Sequence, residues 1–306
     1  MKKFLKNTYQ HKALLFMSLP AIIILIMFHY VPLFGVTIAF KEFNFSDGIF
    51  GSQWVGFKNF RFLFANKEVM IRILRNTVGY YFLFTTVGTV CNIALAIALH
   101  ECRKKVFAKI AHTIMIFPTF VSYIAVTFIV YAFLADNNGM INHLLKTIGM
   151  EPLQWYASPE KWPWILLFVT LWKNVGYNSI LYLSALSGMD QQMFEAAKID
   201  GASKWQEIYH ITLPQLVPTV CILLLLGLGG IMTSDTGLFY QVTKNTGLIY
   251  ETTQTIDSYV LNTIMTGSND FGVSAAITLF QTTVGTIMVL VVNLLIRKWE
   301  PENALF

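Results

Sequence analysis

Residues 190–218 read DQQMFEAAKIDGASKWQEIYHITLPQLVP, a polar interruption between two apolar blocks. Asp190 is suited to cap a helix beginning at Gln191, and Gly201 supplies the left-handed residue that ends one. Ser203 and Gln206 stand at capping-box spacing, so a second helix is predicted just past the turn. On it Trp205, Ile208 and Tyr209 fall at i, i+3 and i+4, giving one apolar face that should press against something. The segment therefore predicts helix, sharp turn and helix, in a loop too polar for hydrocarbon.

On both sides of that loop the apolar residues come in long runs. A helix rises about 1.5 Å per residue, so about 20 apolar residues cross a hydrocarbon core of roughly 30 Å. Six blocks qualify, over about residues 13–40, 76–99, 110–134, 162–186, 214–232 and 271–296. The composition agrees: 55% of the 306 residues are hydrophobic and only 13% charged, which excludes an ordinary soluble domain. The expected fold is an all-α membrane protein, one transmembrane domain over residues 1–306 with six transmembrane helices. The leader with Lys2, Lys3, Lys6 and Lys12 resembles a secretory signal. Its apolar run is too long for one and lacks a small-residue cleavage site, so it is kept as a span.

Orientation follows from the basic loops. The leader, the turn with Arg103, Lys104, Lys105 and Lys109, and the tail with Arg297 and Lys298 fall on one side, which places both termini in the cytoplasm. Residues 41–75 argue the other way, with Lys41, Lys58, Arg61, Lys67, Arg72 and Arg75 on the outside; a long loop crosses largely regardless of charge. Within it, residues 57–64 read as an amphipathic helix lying in the interface. Trp54, Trp162, Trp164 and Trp299 stand near span ends and are predicted to anchor there.

Catalytic and metal chemistry find little support. Cys91, Cys102 and Cys221 are far apart and form no CxxC pair, and no histidine stands in an HExxH spacing, so solvated or interfacial roles are assigned to all six. Gly227, Gly229 and Gly230 lie inside an apolar helix, where they favour close packing or local unwinding. The chain carries no GxxxxGK[ST] loop, so any ATP must be held by another polypeptide.

The 190–218 segment closely resembles the EAA loop of type I ABC importer permeases. Glu195, Ala196, Ala197, Gly201, Ile211, Leu213 and Pro214 match its pattern, and Asp200, Ala202 and Pro218 match its longer form. The resemblance implies that this loop, about residues 187–213, docks into a cytoplasmic ATPase. Ala196, Ala197 and Gly201 would permit close approach, and Glu195 would offer a carboxylate to an arginine on the partner. Trp205 and Ile208 belong to the same docking helix. The partners implied are two cytoplasmic ATPase subunits holding ATP and Mg, a second homologous permease, and a lipid-anchored extracellular substrate-binding protein. No cofactor is expected in this chain, and its place is a bacterial cell membrane.

Beyond the loop, residues 137–142 (NNGMIN), 172–188 (WKNVGYNSILYLSALSG) and 257–259 (DSY) resemble the permeases of polysaccharide and complex-sugar importers, on the side of the pair similar to the larger maltose permease. The chain departs from that permease in having six predicted spans rather than eight and no large extracellular domain. Sugars are bound by amides, hydroxyls and aromatic faces. Lys173, Asn174, Tyr177 and Asn178 on the fourth span, with Tyr240 and Tyr259 in the following outer loop, are the candidate substrate pathway; Phe239 and Tyr250 are the loop's other aromatics. Lys173, at mid-span, needs either helix carbonyls or a carboxylate within the bundle, or a wet cavity beside Asn174 and Tyr177. The competing functions are the same machinery for an amino acid, polyamine or metal complex, an ATP-independent channel or carrier, and a membrane enzyme.

Overall fold

The structure, a computed structural model, describes residues 12–61, 67–266 and 271–299. They pack as two units, one of residues 12–61 with 271–280 and the other of residues 67–266 with 281–299.

In the first unit, helix α1 (Lys12–Leu25) runs on through a π-helical turn (Ile26–Tyr30) and a 3-10 stretch (Phe34–Phe40). Pro32 brings no N–H to this run, and the helix changes pitch on either side of it. A short hairpin follows, β1 (Lys41–Glu42) antiparallel to β2 (Gln53–Trp54) with Lys41 opposite Trp54. Phe40 stacks on Trp54 at 5.7 Å and meets Phe57 edge-on at 5.5 Å. Of the expected interfacial helix over 57–64, the described part is a 3-10 turn, Gly56–Arg61, and residues 62–64 lie outside the described residues. The cations of this loop are satisfied locally: Lys41 Nζ donates to the Ile49 and Phe50 carbonyls, and Lys58 pairs with Glu42 at 3.0 Å.

In the second unit, α2 (Lys67–Glu101) starts at Lys67 rather than near residue 76, and so takes in three more of those cations, Lys67, Arg72 and Arg75. Arg72 donates to Gln254 Oε1 at 2.6 Å and Arg75 to the Glu251 carbonyl at 3.0 Å. The third apolar block, expected as one crossing, is two helices, α3 (Lys105–Ile116) and α4 (Tyr123–Leu134). The bend between them, 99°, falls at a break where Pro118 supplies no donor and Val121 is extended. Ser122 then caps α4, its hydroxyl accepting from the Ala125 N–H. After α5 (Met140–Thr147) come α6 (Trp162–Ser187), α7 (Gln191–Ile199) and α8 (Lys204–Glu207). A π-helical turn, Ile208–Thr212, joins α8 to α9 (Leu213–Leu228); α10 (Ile256–Met265) and α11 (Phe271–Trp299) complete the chain, α11 running from the first unit into the second.

Among the described residues four helices are long and apolar enough to cross a membrane, and the bent α3–α4 pair makes a fifth. Helix α6 has the length, 26 residues, but Lys173, Asn174 and Asn178 dilute its middle.

The core of the second unit gathers Tyr80, Val126, Trp162, Leu166, Phe239 and Val242. Trp162, expected as an interface anchor, is wholly buried there and donates its ring N–H to the Trp155 carbonyl at 2.9 Å. Its position in the first turn of α6 turns it toward α4 instead of lipid; Trp164 and Trp54 are exposed, and the Trp299 side chain lies outside the described residues. His112 is half-buried, with its Nε2 3.0 Å from the Gly176 carbonyl. The expected outer loop over 233–270 is folded as far as residue 266, with a π-helical turn (Gly237–Val242) that buries Phe239 against Tyr80 at 4.7 Å. Gly237 permits this, because a Cβ there would run into the Tyr123 ring. Gly229, in turn, meets Gly285 of α11 so closely that a Cβ on Gly285 would strike the Gly229 carbonyl.

Candidate functional site

The loop between α6 and α9 is built by three local devices. The Asp190 carboxylate accepts from the Gln192 N–H at 2.9 Å and opens α7. Gly201, at φ +77°, closes it: the Ala202 N–H bonds the Ala197 carbonyl and the Gly201 N–H the Lys198 carbonyl, the paired bonds of a Schellman motif. Ser203 and Gln206 then form a complete capping box at the head of α8.

What the turn presents is apolar and uncovered within this chain. Ile199, Trp205 and Tyr209 are 86%, 81% and 70% exposed, and Ile208 is half-buried. Glu195, Ala196, Asp200, Gly201 and Pro214 are exposed, while Ala197, Ala202, Ile211 and Leu213 are half-buried on the side toward the bundle. Beneath them lies a feature that sequence reasoning missed. Lys204 pairs with Glu207, which is buried, at 2.7 Å and with Glu101 at the end of α2 at 2.9 Å. The signal was the i, i+3 spacing of Lys204 and Glu207; the contact with Glu101 crosses about a hundred residues and has no local signature.

Between α2, α6 and α9 lies a cavity of about 330 Å³. Its lining is polar for a bundle interior, with Thr89, Asn92, Thr170, Asn174, Asn178 and Tyr182. Asn92 Oδ1 and Thr170 Oγ1 are buried without a hydrogen-bond partner among the described residues. A lining with one unpaired amide oxygen and one unpaired hydroxyl is suited to a hydroxyl-bearing guest or to water. Thr85, Thr89 and Asn92 on α2 were not foreseen, because a few polar residues in a long apolar helix do not reveal which face they share.

Lys173 is elsewhere. Its ammonium donates to the carbonyls of Val121 at 2.6 Å, Thr119 at 2.8 Å and Pro118 at 3.4 Å, and it lies 4.9 Å from the Tyr123 ring centre. The Pro118 carbonyl also accepts the Val121 N–H at 3.1 Å, and the Thr119 hydroxyl returns a bond to the Lys173 carbonyl at 2.6 Å. Tyr177 is exposed, whereas Tyr240 and Tyr259 are half-buried; none of the three is among the residues lining the 330 Å³ cavity. Asp257 of the DSY stretch binds structure: its carboxylate accepts from the Ser234 N–H at 2.6 Å and from Gln281 at 3.2 Å. Asn142 of NNGMIN is fully buried and ties together the Asp136 and Leu153 carbonyls and the Trp155 ring N–H.

Comparison with known proteins gives a consistent picture. A family model described as the binding-protein-dependent transport system inner membrane component matches residues 88–301. The polygalacturonan/rhamnogalacturonan transport system permease protein YteP of Bacillus subtilis is 32% identical over 302 residues, covering 99% of this chain and 93% of its own. Protein LplB of the same organism is 31% identical over 292 residues, covering 95% of this chain and 91% of its own. A crystal structure of a bacterial ABC transporter involved in the import of the acidic polysaccharide alginate superposes with a TM-score of 0.85 at 31% identity, covering 97% of this chain and 99% of that one. A second, of the bacterial alginate ABC transporter in complex with alginate pentasaccharide-bound periplasmic protein, gives a TM-score of 0.84 at 31% identity, covering 96% of both chains.

Proposed function

Since the chain belongs to the inner membrane components of binding-protein-dependent transport systems, we propose that it is one permease subunit of an ATP-driven bacterial importer for an oligosaccharide. A relative named for polygalacturonan and rhamnogalacturonan and a solved neighbour that imports the acidic polysaccharide alginate support an acidic polysaccharide fragment as the cargo, beside more distant relatives named for lactose and alpha-glucosides. The chain forms half of the translocation pathway, beside a second homologous permease, and Asn174 and Asn178 with the polar wall of α2 contribute its lining. Two cytoplasmic ATPase subunits hold ATP and Mg and hydrolyse it; an extracellular binding protein delivers the sugar.

Six crossings follow if α6 and the bent α3–α4 pair each traverse the bilayer of the plasma membrane. The Lys204–Glu101 pair sets the end of α2 beside the 190–213 loop, so the basic turn at Arg103, Lys104 and Lys105 shares the loop's side, and the basic residues of the leader and tail support cytoplasmic termini.

The observation that carries the proposal is the uncovered apolar face of α7 and α8 in a loop that is otherwise polar. An apolar face of this kind, held on a rigid glycine turn, is a docking surface waiting for a partner. The test is a complex of both permeases, the ATPases and the binding protein in proteoliposomes, in which ATP hydrolysis is read with and without trigalacturonate. Gly201→Asp places a side chain at φ +77°, costing about 1 kcal/mol of backbone strain, and blocks close approach. The pair of permeases should still purify folded, with sugar-stimulated hydrolysis lost. Normal turnover and import by that variant would remove the docking role.

A further inference from the structure

At the end of α6 opposite the coupling loop, the last turn of α4, residues 135–138, the 3-10 turn Trp155–Ala157 and the turn at 243–246 enclose a cavity of about 390 Å³. It is lined by Tyr131, Asp136, Asn137, Asn138, Tyr156 and Lys244. This cavity shares no lining residue with the one between α2, α6 and α9.

Two of its polar groups lack partners. Tyr156 is only 8% exposed, yet among the described residues neither its hydroxyl nor Asp136 Oδ1 finds a hydrogen bond. Buried groups of this kind are rarely left so unless something outside the chain completes them. Burial raises the pKa of the Tyr156 hydroxyl well above that of a free phenol, so it meets any guest as an O–H donor.

The cation is also placed with care. Lys244 Nζ lies 3.7 Å from the Tyr131 ring centre and 5.9 Å from that of Tyr156. Lys244 and Asn245 both have left-handed backbone, at φ 55° and 47°, a conformation that side-chain-bearing residues adopt rarely. Their turn is pinned: the Asn245 N–H bonds the Tyr240 carbonyl, the Tyr250 hydroxyl donates to Asn245 Oδ1 at 2.6 Å, and the Asn245 amide donates to Asn262. Lys244 forms no ion pair among the described residues.

We propose that this cavity binds a single uronic-acid unit of an oligosaccharide, with Lys244 taking its carboxylate, Asp136 accepting from its hydroxyls and Tyr156 donating to it. A neutral sugar would leave the ammonium unmatched, and a simple anion would leave the Asp136 carboxylate facing like charge. A ring bearing both hydroxyls and one carboxylate satisfies both. The inference rests on the importer reading above for the source of the sugar, and it adds an anion-selective site at the outer mouth.

The test uses the whole complex in nanodiscs without binding protein, with radiolabelled trigalacturonate and maltotriose as probes in equilibrium dialysis. The wild type should prefer trigalacturonate. Lys244→Met should weaken that binding roughly tenfold and leave maltotriose unchanged, since one charge-assisted contact is removed. Lys244→Arg should restore it, and Tyr156→Phe should weaken it several-fold without altering the charge. Equal binding of both sugars by the wild type, or unchanged trigalacturonate binding in both Lys244→Met and Tyr156→Phe, overturns the site. Import separates the two readings: a complex that binds trigalacturonate through Lys244 but transports neither sugar sinks the importer and keeps the site. A complex that imports trigalacturonate with the same KM in all variants keeps the importer and sinks the site.

Discussion

Lys173 shows how one buried charge can organise a bent span. At the α3–α4 break its ammonium donates to the Val121 and Thr119 carbonyls at 2.6 and 2.8 Å, and to the Pro118 carbonyl, which the Val121 N–H also serves, at 3.4 Å. A protonated amine with three donors suits a set of diverging carbonyls better than any neutral side chain of that length. In Lys173→Met the stem's volume stays and the donors go. The cost of desolvating a charge is recovered, but the Thr119 and Val121 carbonyls lose this donor at about 1–3 kcal/mol each, so a net loss of about 3 kcal/mol is expected. That corresponds to a drop of roughly 5–10 °C in Tm. The measurement is the Tm of the detergent-solubilised permease pair, together with its yield as a single species. A fully stable variant with selectively reduced sugar uptake would mean that the ammonium acts on the cargo instead. The sequence made Lys173 conspicuous because a cation in mid-span is expensive; it did not identify the acceptors, which lie some fifty residues away on elements whose break had not been foreseen.

Helices whose signals are local were legible, and those shaped by distant contacts were not. The capping of α7 by Asp190, the glycine turn and the capping box of α8 appear as expected because each involves residues within five positions of one another. The third apolar block hid a 99° break, since Pro118 alone is compatible with a kinked single helix, whereas Lys173, the Thr119 hydroxyl and the Ser122 cap hold the sharper bend. The outer segment over 233–266 read as a loop because its helices are short, yet Asn76, Thr77 and Tyr80 of α2 bond its backbone at Gln254, Ile256 and Thr252. Glycine contacts were anticipated only in kind. Gly229 does serve close packing, but its partner, Gly285, lies on another helix and drew no attention in the sequence. Any side chain at 285 must push the two helices apart. Gly285→Val is therefore expected to destabilise the pair by about 1–3 kcal/mol, whereas Gly79→Val, with open space at its Cβ, should cost less than half as much. Chemical denaturation of the two variants in the same detergent compares them; equal losses would place the α9–α11 contact outside the core.

Taken over the second unit, α2 touches both ends of the bundle. Its 35 residues make a rod of roughly 52 Å. Near one end Asn76 donates to the Glu251 and Gln254 carbonyls, and at the other Glu101 meets Lys204 of the coupling loop. Lys204 holds Glu101 of α2 at 2.9 Å and the buried Glu207 of its own helix at 2.7 Å, so one ammonium ties the loop to the end of α2. The 233–266 segment and the 190–213 loop are thus both bonded to this helix. If binding-protein docking drives ATP hydrolysis through that rod, then cutting either attachment should lower the stimulation and leave the basal rate intact. Asn76→Ala and Lys204→Met are each expected to reduce sugar-stimulated ATPase activity of the reconstituted complex about tenfold, equivalent to a coupling energy of roughly 1.4 kcal/mol. Because both act on one element, the double variant should fall little further than either single one. Fully additive losses would show that the two attachments report to the ATPase by separate routes, and an undiminished stimulation in Lys204→Met would show that the loop moves free of α2.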